Sequence, residues 1–79
     1  MKVRLCYFAS LRDAAGTATE EIEIGHVDAV RLFENAAQRH GFALPRSRLR
    51  LVVNGEIVDW SRPLQAEDEV VFLPPVSGG

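Results

Sequence analysis

Residues 2–8, Lys-Val-Arg-Leu-Cys-Tyr-Phe, alternate between two kinds of side chain. Three large apolar side chains share one face of the extended stretch, namely Val3, Leu5 and Tyr7. The other face carries Lys2, Arg4, Cys6 and Phe8. A period of two residues with one apolar face is typical of a β-strand that covers a core on one side only. The stretch therefore predicts an opening strand, and the rest of the chain has to supply the layer that buries its apolar face.

The segment after this stretch predicts a second strand. Residues 18–24 repeat the alternation, with Ile22 and Ile24 on the buried face. Between the two strands, Ala9–Ala15 is expected to form no more than a short helical turn, which Gly16 closes.

Residues 27–40 change from the strand period to the helix period. Val30, Phe33 and Ala37 recur at helical spacing, so they predict an apolar stripe that faces the sheet. His26 stands where Ser, Thr or Asp is preferred as N-cap, so the helix is expected to begin with a weak cap. Asp28 in the first turn is expected to offset this in part, because it faces the helix N-terminal dipole.

Three further strands follow the helix. Residues 49–53 alternate again, Asn54-Gly55 forms a tight turn, residues 56–58 pair back, and residues 70–73 form the last strand. The order β-β-α-β-β-β predicts an α+β domain of β-grasp type, with a mixed sheet of four to five strands and one main helix packed on one face. The first and last strands are expected to lie side by side at the centre, and the face opposite the helix is expected to stay uncovered.

The composition limits the functions of the chain. Its 79 residues are 47% hydrophobic and 25% charged, as in one small globular domain. A formal net charge of -2 excludes a strongly basic nucleic-acid binder, and no apolar run is long enough to cross a membrane. One cysteine and two separated histidines offer neither a disulfide nor a zinc ligand set, which favours a cytoplasmic protein. At this size we expect a carrier, a subunit or a binding module rather than a free-standing enzyme.

Several polar residues are interpreted as structural or solvated. The acidic runs Glu20-Glu21 and Glu67-Asp68-Glu69 are expected to be solvated edges, with steering of a partner as the alternative. His26 and His40 flank the helix and are expected to serve its ends. Cys6 lies on the outer face of a central strand, where a small apolar filler at an interface is favoured over a reactive thiol.

The last six residues form a separate unit, which divides the chain into a domain of residues 1–73 and a flexible tail of residues 74–79. The tail reads Pro74-Pro75-Val76-Ser77-Gly78-Gly79. The prolines favour an extended base, and glycines without a Cβ let the backbone pass through a narrow slot. The six residues reach roughly 20 Å, and the Gly79 carboxylate is sterically uncrowded. We therefore expect delivery of this carboxylate into a partner's active site; the alternative is a frayed end with incidental glycines.

Four stretches of the sequence carry the features of a known family. They are Tyr7-Phe8-Ala9-Ser10-Leu11-Arg12 with Gly16, Val53-Asn54-Gly55, Pro63-Leu64 with Asp68-Glu69-Val70, and Phe72-Leu73 followed by the tail. Together, and over the full length of the chain, they resemble the sulfur-carrier subunits of molybdopterin synthase, within the ubiquitin-like β-grasp sulfur carriers. The tail is the specific part, because the Asn-Gly turn and the acidic turn are shared with other carriers of the superfamily.

The resemblance implies that Gly79 is the reactive residue. A ubiquitin-activating-like adenylyltransferase would adenylate its carboxylate with ATP, and a sulfur donor protein would displace AMP to leave a thiocarboxylate. The rest of the tail would then insert into the large subunit of molybdopterin synthase; these residues are Pro74, Pro75, Val76, Ser77 and Gly78. There the sulfur would help to convert a pyranopterin precursor into the dithiolene of molybdopterin. The resemblance further implies catalytic groups on the large subunit and an assembly of two carriers with two large subunits. It implies no permanently bound cofactor and no metal, only AMP and sulfur held covalently and transiently at Gly79.

The resemblance also implies a docking surface for the large subunit. Phe8 lies on the outer sheet face by alternation, Leu73 shares that face from the last strand, and Ile57 lies in the nearby hairpin. These three residues match family positions that contact the large subunit, although Leu73 stands where a second aromatic residue is common. Arg12 matches a basic family position that could pair with an acidic residue of the partner. The alternatives are an aromatic Phe8 shielded within the monomer and an ordinary solvated arginine.

Two other functions remain open at this point. One is a carrier for another pathway, which would supply sulfur for thiazole, cysteine or tRNA thiolation, or a ubiquitin-like modifier of protein lysines. The Pro-Pro pair before the tail favours the molybdopterin role, because thiazole carriers more often run directly from strand to glycines. The other is a β-grasp interaction module that carries no sulfur, in which removal of the terminal glycines would leave partner function intact.

Overall fold

The computed structural model describes residues 1–25 and 28–74. In chain order its elements are β1 (Lys2–Cys6), α1 (Ala9–Ala15), β2 (Thr19–Glu23), α2 (Ala29–His40), a 3-10 helix (Arg46–Arg48), β3 (Arg50–Val53), β4 (Glu56–Val58) and β5 (Glu69–Leu73). The strands form one sheet in the order β2-β1-β5-β3-β4. β1 and β5 are parallel, whereas the other neighbours are antiparallel. The predicted β-grasp fold is confirmed, and so is the central position of the first and last strands.

The core lies between α2 and the inner face of the sheet. The apolar face of the opening stretch is buried as predicted, and α2 adds the ring of Phe33. Phe33 packs edge-on against Phe72 of β5, with ring centroids 5.1 Å apart, and against Trp60 at 5.9 Å. Edge-to-face aromatic pairs of this kind stabilise a core beyond their buried area. Because the core lies on one side of the sheet, the opposite face of the sheet is not covered by α2.

The short turn predicted at Ala9–Ala15 is wrong, because the segment forms the seven-residue helix α1. No side chain caps its start; instead the Phe8 carbonyl accepts the N–H groups of Leu11 and Arg12. Gly16 ends the helix in the left-handed conformation, at φ 75°, and its N–H donates to the Arg12 carbonyl. A helix this short is not stable alone. Burial of Leu11 in the core supplies the missing stabilisation.

The weak cap predicted for α2 is also wrong. Asp28 is the N-cap, and its Oδ1 accepts the N–H of Arg31 at 2.9 Å. His26, which was expected at this position, lies outside the described residues. A carboxylate at an N-cap satisfies a free backbone donor and faces the positive end of the helix dipole. The start of α2 is therefore well capped.

The buried stripe of α2 is rotated relative to the prediction. Its buried residues are Ala29, Leu32, Phe33 and Ala36. Val30 and Ala37, which were predicted to face inward, are only partly buried and flank this stripe. Ala29 and Ala36 belong to the buried stripe, and their small side chains allow the helix to approach the rest of the core closely. A prediction based on large apolar residues does not identify such positions.

Candidate functional site on the open face of the sheet

The face of the sheet opposite the core, here called the open face, carries an apolar row. The strand register aligns Cys6 with Val71, Val71 with Val52, and Val52 with Ile57. Directly paired residues project from the same face, so these four side chains form one line from β1 to β4. Val71 lies in the middle and is only 8% exposed, although it does not belong to the core cluster. Cys6 and Ile57 were predicted from the sequence to lie at an interface, whereas Val52 and Val71 were not, although the alternation along β3 and β5 identifies them.

Three large apolar side chains on or beside this row are exposed. Phe8 is 51% exposed, Ile57 63% and Leu73 36%. They are the three residues that the sequence analysis placed at a docking surface, and all three lie where partner contact is possible. Their contact with a partner stays a prediction. Apolar side chains clustered at a surface in this way are typical of a protein interaction site.

The apolar part of the open face lies at the end of the sheet from which the tail departs, here called the exit end. β5 runs from Glu69 to Leu73 and leads into Pro74 at this end. β1 is parallel to β5, so Phe8 follows Cys6 toward the same end as Leu73 follows Val71. Pro74 is partly buried, and Pro75 to Gly79 lie outside the described residues. A partner that covers the apolar row would therefore lie beside the base of the tail.

The opposite end of the open face is charged. Lys2 is paired in the sheet with Glu23, and Arg4 is paired with both Glu21 and Glu69. The Arg4 guanidinium lies 3.8 Å from the Glu21 carboxylate. Surface ion pairs of this type stabilise little, but they keep this end of the sheet hydrated. The open face is thus divided into an apolar half near the tail and a charged half far from it.

Arg12 lies near the exit end, on the helix α1 that follows Phe8. It is exposed, and none of the ion pairs among residues 1–25 and 28–74 involves it. Its carbonyl accepts the N–H of Gly16 at 2.9 Å, so the backbone at Arg12 is fixed by the helix end. This placement is compatible with the predicted pairing to an acidic residue of a partner.

Asp68 is a buried structural centre rather than part of a solvated run. It is 4% exposed, and its carboxylate accepts the Asn54 amide at 2.9 Å and the Gln65 N–H at 2.8 Å. Burial alone would raise its pKa, but these hydrogen bonds and the nearby Arg62 guanidinium hold the pKa below its usual value. Asn54 in turn accepts the N–H of Glu69. The resulting network ties the β3–β4 turn to the start of β5 and so fixes the strand that leads to the tail.

Glu20 is a second polar centre that the sequence analysis took for a solvated edge. Its carboxylate accepts the Tyr7 hydroxyl at 2.7 Å and the Arg39 guanidinium at 3.1 and 3.3 Å, and it lies 3.2 Å from the ring of His40. Burial opposes the charge, but the hydrogen bonds from Arg39, Tyr7 and His40 lower the pKa of Glu20 to about 2. The same burial and the bond to Glu20 raise the pKa of Tyr7. This network joins the residue that follows β1 to β2 and to the end of α2, so it stabilises the fold.

Cys6 fits the unreactive interpretation. Burial and the Glu69 carboxylate raise the pKa of its thiol, and Arg4 opposes them only in part. The thiol is therefore protonated at neutral pH, whereas the thiolate is the reactive form. Among residues 1–25 and 28–74, no three His, Cys, Asp or Glu residues come together to hold a metal ion. No helix in the same residues is long and apolar enough to span a membrane.

The mixed sheet, the single long helix across it and the open face beside the tail define a ubiquitin-like β-grasp protein. The chain belongs to the ThiS family, whose profile matches residues 5–79. It is 35% identical to the molybdopterin synthase sulfur carrier subunit of Escherichia coli, an alignment that covers 98% of this chain and 99% of that protein. It is 32% identical to the human protein of the same name, over 99% of this chain and 94% of that one. The resemblance stated from the sequence is thereby confirmed.

Two solved structures share the fold. SAMP1 from Haloferax volcanii superposes with a TM-score of 0.82 at 22% identity, and each chain is covered completely. A chain in the complex of subunits 1 and 2 of the molybdopterin-converting factor from Helicobacter pylori superposes with a TM-score of 0.72, also at 22% identity and full coverage of both. At this identity the two structures establish the architecture only.

Proposed function

We propose that this protein is the sulfur carrier of molybdopterin synthase and that its reactive group is the carboxylate of Gly79. The support for the pathway comes from the two relatives of that name at 35% and 32% identity, which align over nearly their whole length. The support for a carrier role comes from the structure of the exit end. There the exposed apolar side chains of Phe8, Ile57 and Leu73 lie outside the core and adjoin the base of the tail.

The loading reaction has two steps. The Gly79 carboxylate oxygen attacks the α-phosphorus of ATP in an activating enzyme, and pyrophosphate leaves. A sulfur nucleophile at the oxidation level of sulfide, supplied by a donor protein, then attacks the acyl carbon, and AMP leaves with the bonding electron pair. The product is a thiocarboxylate. Activation is needed because a free carboxylate resists nucleophiles, whereas a mixed anhydride with phosphate has a good leaving group.

Delivery takes place in the large subunit. The tail enters that subunit's active site, where the thiocarboxylate sulfur attacks a carbon of the pyranopterin precursor and displaces an oxygen substituent, which leaves with the bonding electron pair. Water then cleaves the resulting thioester, which leaves sulfur on the precursor and regenerates the Gly79 carboxylate. A dithiolene contains two sulfur atoms, so each product molecule requires two loadings of the carrier. The catalytic groups for this step are assigned to the large subunit.

The open face supplies the docking surface for the large subunit in this proposal. The apolar row ends beside Phe8, Leu73 and Ile57, which a partner would cover. Docking on this face would put the partner next to Pro74, and insertion of the five following residues into that partner is part of the proposal. The charged half of the face stays outside the contact. The complex named for the Helicobacter pylori relative is consistent with such a pairing.

The pathway is tested by complementation. A strain that lacks its own carrier subunit should regain molybdoenzyme activity with this chain when its own activating enzyme and large subunit are present. A chain with one alanine appended after Gly79 should fail to restore activity, because its reactive carboxylate is displaced and crowded. The same variant should still bind the large subunit through the open face. Restoration by the appended chain would contradict the proposal.

The alternatives predict other outcomes. A carrier for thiazole synthesis would relieve a thiamine requirement instead, and a modifier would be recovered in amide linkage to protein lysines. A module that carries no sulfur would function equally well without Gly78 and Gly79. The molybdopterin role is favoured over these because the Escherichia coli and human relatives bear that name.

A further inference from the structure

The arginines of this chain are concentrated in one part of the sequence. Residues 35–55 contain four arginines and no carboxylate, whereas the rest of the chain has five basic and eleven acidic residues. One of the four, Arg39, is held by Glu20. The other three form what we call the basic rim (Arg46, Arg48 and Arg50). A basic segment within a chain of net charge -2 indicates a local electrostatic role rather than a general one.

The basic rim lies at the exit end of the sheet. β3 is antiparallel to β5, and Arg50 at the start of β3 is the direct neighbour of Leu73 at the end of β5. The 3-10 helix that carries Arg46 and Arg48 immediately precedes β3. The rim therefore stands beside the base of the tail, whereas the acidic turn before Glu69 lies at the other end.

The rim is exposed, and the Asp59 carboxylate lines the same groove as Arg46 and Arg50 without forming an ion pair with either. None of the ion pairs among residues 1–25 and 28–74 involves Arg46, Arg48 or Arg50. The Arg46 guanidinium lies 5.3 Å from the centre of the Trp60 ring, a cation–π contact that holds the charge in place. Arg46 and Arg50 line an open groove of about 350 Å³ together with Ile57, so the rim is continuous with the apolar part of the open face.

We infer that the basic rim docks on an acidic surface of the ATP-dependent activating enzyme. This inference rests on the proposed function. Adenylation requires the negatively charged tail carboxylate to approach the triphosphate of ATP, and the two anionic groups repel each other. The three positive charges beside the base of the tail offset that repulsion and steer the carrier toward an anionic site. The apolar row remains the main contact for the large subunit.

The experiment compares two charge-reversed carriers with equal net charge. The rim variant is Arg48→Glu/Arg50→Glu, and the control is Lys2→Glu/Arg31→Glu, whose sites lie at the opposite end of the domain. Arg46 is left in place because its contact with Trp60 contributes to packing. The assay is carrier-dependent ATP–pyrophosphate exchange by the activating enzyme, measured at low and high salt. Binding to the large subunit is measured in parallel, and thermal unfolding verifies that each variant is folded.

The rim variant should lose about tenfold in kcat/KM for exchange at low salt, mainly through KM, and the control should change less than about threefold. The loss should shrink at 1 M salt, where the screening length falls to about 3 Å. Affinity for the large subunit should change less than exchange does.

Equal losses in both variants, or a loss confined to large-subunit binding, would overturn the inference. If the charge reversals unfold the domain, the neutral Arg48→Gln/Arg50→Gln variant should still raise KM, and an unchanged KM there also overturns it. If the wild-type chain supports no exchange at all, the proposed function is contradicted. If the rim variant supports normal exchange, only the inferred role of the basic rim is contradicted.

Discussion

Phe8→Ala is the substitution that tests the docking surface most clearly. Phe8 is 51% exposed at the exit end, and a phenylalanine side chain offers roughly 150–250 Å² of surface. A partner that covers the exposed half buries about 75–125 Å², which corresponds to about 2–3 kcal/mol at 25 cal/mol per Å². We therefore expect the dissociation constant for the large subunit to rise by at least about 30-fold. The assay is isothermal titration calorimetry with the purified large subunit.

The fold should tolerate this change. Phe8 is not a member of the core cluster, and it caps α1 through its backbone carbonyl, which alanine retains. The free energy of unfolding should fall by less than about 1 kcal/mol. The matched control is Glu21→Ala, at the charged end of the same face, which should bind the large subunit as wild type does. If folded Phe8→Ala protein binds within twofold of wild type, the assignment of the open face as docking surface is wrong.

Substitutions at three further residues test the polar contacts that hold the domain. The Glu20 carboxylate, with its pKa of about 2, stabilises the fold fully above its unfolded pKa of about 4.3, and this contribution is lost as the pH falls toward 2. The Glu20 side chain is 26% exposed and partly screened by water, so wild type should lose about 1–3 kcal/mol of unfolding free energy from this group between pH 5 and 2. Glu20→Gln should show a smaller loss over the same pH range in urea titrations. An equal pH dependence of the unfolding free energy in the two proteins would refute the assignment. Asp68→Asn keeps one accepting oxygen for the two donors, so its amide NH2 faces either the Asn54 amide or the Gln65 N–H, which should cost about 1–3 kcal/mol by urea unfolding. A cost below about 0.5 kcal/mol would show that the network contributes little. Asp28→Ala should cost about 1 kcal/mol and Asp28→Ser only a few tenths, and equal losses in the two variants would argue against the cap.

The sheet was predictable because its alternation is strong. Val3, Leu5 and Tyr7 are buried as their spacing requires, and the exposure of Phe8 follows from the same alternation. The register across strands was not predictable, because it depends on which strands become neighbours. The apolar row could therefore be recognised as a continuous surface only when Val52 and Val71 were seen side by side.

Other features depend on partners that are distant in sequence. Glu20 and Asp68 look like members of solvated acidic runs, and only the folded chain brings Arg39 to one and Asn54 to the other. The helix α1 was missed for a similar reason, since its stability comes from burial of Leu11. Local pattern thus predicts which faces are apolar, whereas long-range contacts decide which charges are structural.

The central claim is that Gly79 is loaded with sulfur, and the mass of the C-terminal peptide tests it most directly. The protein should be isolated from a host that retains the activating enzyme but lacks the large subunit, so that loaded carrier accumulates. The proposal predicts that one oxygen of the terminal carboxylate is exchanged for sulfur in this host and that the exchange is absent when the activating enzyme is deleted. A plain carboxylate in both hosts would contradict the account.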